Sequence, residues 1–243
     1  MQSETTKDES MTQKLKEEFL KEGITSSDYL VEKAHQLLMT VQQRHGVGLV
    51  GEAFSGKSLV IKAAANAIGC KVKSILPKAM AEEELYGRWN KEGKFEDGEL
   101  TAAIREFTTE ETEEPRWILL DGPVDPEWVE PLNTVLDDNK KLLLPSHEMI
   151  PLKGNMRLIF DMDNVKHSTP AFVSRLGIIS FEEEQSSWAW RVQSYLASSA
   201  LSKDFSDLEE TIGLGLNFMK SAKSLLDLSD HHLTLNVLRL LEA

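Results

Sequence analysis

The sequence predicts an α/β fold, a parallel sheet interleaved with helices, followed by a smaller helical domain at the C-terminus. Three observations predict it. Short apolar runs alternate with segments whose apolar residues recur at spacings of three and four. A glycine-rich loop, Gly51 to Ser58, lies between one such run and an alanine-rich helical segment. Beyond Phe181 the strand-like runs cease, and Trp188, Trp190, Val192, Tyr195 and Leu196, then residues 211–219 and 233–241, keep helical spacing. Residues 1–13 therefore read as a polar, flexible tail, 14–185 as the large α/β domain and 186–243 as the helical domain, cut short by the chain end.

In order along the chain, Leu15, Phe19 and Leu20 begin an approach helix, and Thr25-Ser26-Ser27-Asp28 punctuates the chain before a second helix running to about His45. Gly46 to Val50 is short and apolar, as a buried parallel strand is, and Leu59 to Ile68 is a helix that ends at Gly69. Lys71 to Leu76 reads as a strand, Tyr86 to Phe95 as a turn or hairpin, and Leu100 to Phe107 as a helix. The run 108–115 holds four acids and no base and reads as an exposed loop whose charge serves solvation. Arg116 to Asp121 is the next strand, Trp128 to Leu136 a helix, and 141–144 with 149–152 a hairpin around Pro145. Met156 to Phe160 and Gly177 to Phe181 are further strands, separated by a helix from Pro170 to Leu176.

Composition narrows the function. The 243 residues carry 27 Lys and Arg against 40 Asp and Glu, a net charge of −13, which argues against a nucleic-acid groove or an anionic membrane as partner. The single cysteine, Cys70, cannot form an internal disulfide and reads as a buried thiol. No stretch reaches the about 18 apolar residues of a spanning helix, and no basic segment with an apolar run opens the chain, so a soluble intracellular protein is expected. The six histidines, including His231-His232, make no zinc set with Cys70. Tyr86 and Trp89, Trp117, Trp128, Trp188 and Trp190 lack basic interleaving and read as packing residues.

Gly51-Glu52-Ala53-Phe54-Ser55-Gly56-Lys57-Ser58 matches Gly-x-x-x-x-Gly-Lys-[Ser/Thr] completely, with a strand before it and a helix after it. Such a loop cradles phosphates on its backbone N–H groups and the helix N-terminus, its lysine reaches the β and γ phosphates, and its serine hydroxyl serves Mg²⁺. The rival reading is a chance glycine turn. Asp121 ends an apolar strand, from which a carboxylate can hold water on Mg²⁺ or, alternatively, cap the next turn. The following position, where a second acid could polarise water, is Gly122, and Asp125 or Glu127 would have to bend back to serve as base. Nucleotide binding with slow or absent turnover follows, against the alternatives of an active ATPase and a nucleotide-independent interaction domain. Arg175, just before a strand, could meet a neighbour's γ-phosphate or pair with a surface acid.

Three stretches carry a resemblance: Arg44 to Gly51, Trp117 to Trp128 and Leu132 to Leu142. Over roughly residues 24–240 the chain resembles the AAA+ modules of dynein heavy chains, most strongly the second module, whose Asp-Gly matches Asp121-Gly122, and the axonemal more than the cytoplasmic type. The resemblance implies a P-loop AAA+ three-layer domain with a helical lid, one of six modules in a ring on one heavy chain. It implies bound ATP or ADP with Mg²⁺, poor hydrolysis, and support of the main hydrolytic site in the first module. By the same likeness Arg175 is an arginine finger for the preceding module, Asp163, beside Asn164, is the sensor after the strand from Met156, Asn236 stands where the lid arginine is expected, and Ile24 lies near adenine. Adjacent modules, intermediate and light chains and microtubules are the implied partners, and the cytoplasm and cytoskeleton, in a cilium or flagellum, the implied location.

Overall fold

The computed structural model describes residues 2–24, 28–181, 189–198, 207–221, 233–234 and 236–238. In chain order the elements are α1 (Gln2–Lys21), α2 (Asp28–Gln43), β1 (Gly46–Gly51), α3 (Lys57–Ala67), β2 (Lys71–Ile75), α4 (Glu82–Tyr86), β3 (Gly87–Trp89), β4 (Phe95–Asp97), α5 (Glu99–Thr109) and β5 (Arg116–Asp121). They continue with α6 (Pro126–Val129), α7 (Asn133–Leu136), β6 (Lys141–Leu143), β7 (Met149–Pro151), β8 (Met156–Met162), α8 (Pro170–Arg175), β9 (Gly177–Phe181), α9 (Ala189–Ser198) and α10 (Leu208–Ser221). The chain forms two compact units: Met1–His35 with Gly51–Ala63 and Phe181–Ala243, and Gln36–Val50 with Ala64–Ser180.

The second unit carries the sheet. Its five strands run β2-β5-β8-β1-β9, with β2, β5, β8 and β1 pairing in parallel. Each crossover joins strands with the same direction, as helices between parallel strands require. The expected α/β class is therefore present, as a mostly parallel sheet flanked by helices, consistent with the expected P-loop AAA+ type, with a smaller helical region following at the C-terminal end. Central β8 is buried along nearly all of its length because elements cover both faces of the sheet. Phe160 stacks on Trp128 at 6.3 Å and meets Phe172 edge-on at 5.1 Å. The apolar face of α5, Leu100, Ala103, Ile104 and Phe107, joins the same core, and the Thr101 hydroxyl donates to the Tyr86 carbonyl at 2.6 Å.

Several expectations need correction. The helix expected to begin near Leu15 starts at Gln2, because no Gly or Pro interrupts residues 2–21 and the turn anchored by Leu15 and Phe19 propagates backwards. The single helix expected over 128–136 is broken into α6, a 3-10 turn at Glu130–Leu132 and α7, since Pro131 offers no N–H and clashes with the preceding turn. The acidic run is more than a solvated loop: Glu110 pairs with Lys71 at 2.8 Å and with Arg116 at 3.0 Å, and Glu114 with Arg116 at 3.3 Å. Trp89 is not a core residue but is 58% exposed on the β3–β4 hairpin, edge-on to Phe95. Arg105 of α5 joins this hairpin to the β6–β7 hairpin, donating from Nε to Asp97 at 2.6 Å and from both terminal nitrogens to Glu148 at 2.8 and 2.6 Å.

In the first unit Leu15 and Phe19 are fully buried, and the Thr12 hydroxyl lies 2.8 Å from His35 Nε2. Glu22 pairs with Lys62 of α3 at 2.8 Å. Val192, Leu208, Ile212, Leu216 and Leu238 form a separate helical cluster. Thr25 to Ser27, Trp188 and His231-His232 lie outside the described residues.

Candidate nucleotide site

The chain leaves β1 through Val50, which pairs with Met162, and enters the loop at Gly51. Lys57 opens α3, and its side chain is folded into the loop, 5% exposed, with Nζ donating to the carbonyls of Gly51 at 2.5 Å and Glu52 at 2.8 Å. Gly56 has φ +102°, and a Cβ there would come within 2.7 Å of Leu30 Cδ2, so both backbone and space demand glycine. Phe54 adopts φ +66°, an uncommon left-handed conformation for a side-chain-bearing residue. Glu52, Ala53, Phe54 and Ser58 face solvent, whereas Ser55 is buried with no hydrogen-bond partner for its hydroxyl. An orphaned donor, a folded-in ammonium and a glycine-only turn are what a phosphate cradle offers, so the loop fits a nucleotide's phosphates.

Also in this unit, Arg191 of α9 donates from Nη2 to the Phe54 carbonyl. Its guanidinium lies 4.4 Å from the Trp190 ring centroid and 5.8 Å from that of Phe54. Ile24 is buried and its N–H donates to the Phe19 carbonyl at 2.9 Å, closing α1. Asn236 is helical and exposed.

In the second unit Asp121 ends β5, half-buried, in register with Asp161 of β8, which is in register with Leu49 of β1. Asp121 thus stands at the C-terminal edge of the parallel sheet, where ligands of open α/β sheets collect. Gly122 follows with φ +128°, and its N–H donates to the Asp161 carbonyl at 3.0 Å. Asp125 does not turn back toward Asp121: its carboxylate caps α6 through the Glu127 N–H at 3.2 Å and holds Lys78 at 2.6 Å. The Lys78 hydrogen bond, then the Glu127 N–H, hold its pKa below the ordinary value. Asp163 is exposed just past β8, and the Asn164 carboxamide accepts the Lys166 N–H at 3.0 Å. Arg175 is engaged within its own unit, with Nε on Asp137 Oδ1 at 2.5 Å, Nη2 on Oδ2 at 3.3 Å and Nη1 on the Ala171 carbonyl at 2.7 Å. Among the described residues no three His, Cys, Asp or Glu side chains gather to hold a metal.

A family model described as an AAA domain of the dynein-related subfamily matches residues 46–176, from β1 to α8. The chain belongs to the dynein-related AAA family. A second model, the hydrolytic ATP binding site of the dynein motor region, matches residues 1–58 of this AAA domain. Over 188 residues the domain is 38% identical to dynein axonemal heavy chain 17 of Mus musculus, with 75% of this chain and 4% of that protein covered. It is 39% identical over 187 residues to cytoplasmic dynein 2 heavy chain 1 of Caenorhabditis elegans, with 74% and 4% covered. The chain thus spans about 4% of the length of these relatives. Axonemal and cytoplasmic heavy chains are matched equally well, so similarity does not separate the two types.

Three residues of this AAA domain escaped sequence reasoning. Asp161 is the one acid in the apolar strand Met156–Met162, a signal that was available, and its burial comes from its place between β5 and β1. Asp137 and Arg191 carried no signal, because their partners lie 38 and 137 residues away in sequence.

Proposed function

We propose that this chain is an ATP- or ADP-binding regulatory module of a dynein motor, the second of its ring and of axonemal type, that holds nucleotide with little or no turnover. Gly51 to Ser58 would bind the phosphates, Ser58 and Asp121 would hold Mg²⁺, and the ion would neutralise phosphate charge. The observation that carries the reading is Gly122: the position after Asp121 has no carboxylate and a backbone conformation essentially reserved for glycine. The active-ATPase alternative needs Asp125 as base, and its engagement with Lys78 and the α6 N-terminus speaks against that role. Asp163 at the sensor position and Asn236 in place of the lid arginine would weaken γ-phosphate sensing, in keeping with Gly122, and Ile24 would lie near adenine.

The large α/β domain, 14–185, and the helical domain, 186–243, would be held in register by nucleotide. Arg175 would serve the preceding module's site by exchanging Asp137 for a γ-phosphate. Adjacent modules, intermediate and light chains and microtubules would be met through the full heavy chain, in the cytoskeleton of a cilium or flagellum. Among the described residues no helix is long and apolar enough to cross a membrane.

The test is titration with ATP and ADP, with and without Mg²⁺, followed by melting temperature and tryptophan fluorescence, alongside phosphate release. The expected result is a Lys57-dependent response without phosphate release. Turnover of several per second, lost in Lys57→Ala, would overturn the weak-hydrolysis reading, and no response would overturn nucleotide binding.

A further inference from the structure

Arg191 is a cation in an unusual position. Burial pushes its pKa down to about 10, so it is protonated at neutral pH. The side chain is half-buried with its Nε enclosed, and a cation so desolvated is normally matched by a carboxylate, because removing an unpaired charge from water is costly. Among the described residues Arg191 has none. Its one hydrogen bond goes to a neutral acceptor, the Phe54 carbonyl of the phosphate loop, and its Nε is buried without a partner.

The surroundings point to an anion rich in oxygen. Trp190 and Phe54 hold the guanidinium by cation–π contact, which keeps the planar fork ordered for two-pronged recognition of phosphate. Trp190 also lies against the loop, since a Cβ on Gly56 would come within 3.6 Å of its Cζ2. Two further buried donors of this neighbourhood, Ser55 Oγ and Trp190 Nε1, have no hydrogen-bond partner. A hydrophobic neighbourhood built only for packing has no use for three orphaned polar atoms.

We propose that Arg191 is a phosphate-binding residue of the nucleotide site, presented to the loop by helix α9. The inference rests on the nucleotide-binding reading above and adds its lid contact: a nucleoside di- or triphosphate would bridge loop residues Phe54 to Lys57 and α9. Because Val192 packs beside Leu208, Ile212 and Leu216, that bridge would also tie the nucleotide to the helical cluster.

Calorimetric titration of the 243-residue chain with Mg-ADP and with inorganic pyrophosphate, at several NaCl concentrations, tests this. Arg191→Gln is expected to weaken both ligands about tenfold or more and to flatten the salt dependence of Kd, since one charge no longer meets the phosphate. A merely structural arginine would lower Tm and leave the salt dependence unchanged, which would overturn the assignment. If Arg191→Gln fails to fold, Arg191→Lys is read instead, because it keeps the charge and loses the fork. Weaker ADP binding with retained salt dependence supports the assignment, and an unchanged Kd overturns it. Lys57-dependent ADP binding that Arg191→Gln leaves intact overturns the role of Arg191 alone. Absence of ADP binding by the unsubstituted chain overturns both readings.

Discussion

Replacing Gly122 tests whether the second acid is merely missing or is excluded by the backbone. At φ +128° a side-chain-bearing residue pays about 1–3 kcal/mol, the usual cost of a sparsely populated backbone region. A Cβ built there meets nothing within 4 Å, so no clash adds to that cost and none would be relieved by a smaller side chain. Rotating out of the region would strain the Gly122 N–H bond to Asp161, worth about 0.5–1.5 kcal/mol. The stiffer unfolded chain offsets about 0.4–1 kcal/mol. Gly122→Ala and Gly122→Glu should therefore each lose about 1–2 kcal/mol, a fall of about 2–8 °C in Tm for a chain of this size. Gly154→Ala is the control, because its φ is not left-handed and its Cβ also meets nothing within 4 Å. Calorimetric melting reads the stability, and phosphate release from ATP reads whether the glutamate creates a base. Equal losses in Ala and Glu, with no turnover in Glu, are expected. A Gly122→Glu chain as stable as the original and hydrolysing ATP would refute the argument.

Lys57→Ala should abolish the nucleotide-induced rise in Tm, a gain of about 2.7 kcal/mol at a hundredfold excess over Kd, and lower the ligand-free Tm modestly through loss of its hydrogen bonds to the Gly51 and Glu52 carbonyls. Arg105→Ala should release the two hairpins it joins, and amide exchange should quicken across 87–97 and 141–151 and not in β8, where equal exchange would remove the clamp. Hydrogen bonds from Lys71 to Glu106 and Glu110, from Lys78 to Asp125 and from Arg105 to Glu148 hold these carboxylates below their ordinary pKa. Their contribution is present above the unfolded values of about 4 and is lost as pH falls through the lowered native values, so Tm should drop most steeply below about pH 4. Gly215→Ala, exposed within α10 with free space at its Cβ, should raise stability by up to about 1 kcal/mol in a denaturant titration.

The elements that periodicity and punctuation define were legible. β1, β5 and β8 are apolar runs, α5 carries one apolar stripe, and the glycine loop announces itself by spacing. Where local signals compete, reading failed. Residues 2–13 lack an apolar stripe yet continue a helix anchored further on, and Pro131 breaks a segment whose apolar spacing is otherwise helical. The Gly51–Ser58 loop pattern and the acid that ends β5 were readable, but the bond from Asp125 to Lys78, 47 residues away, was not.

By itself the sequence determined the α/β class, the phosphate-loop chemistry and the absence of a second acid after Asp121, because each depends on residue type at fixed local spacing. Only the tertiary structure decided that Asp161 stands beside Asp121, that Asp137 holds Arg175 and that Arg191 reaches the Phe54 carbonyl. Strand register and side-chain pairing join residues far apart in the chain, and their energies depend on burial and geometry that no local pattern encodes.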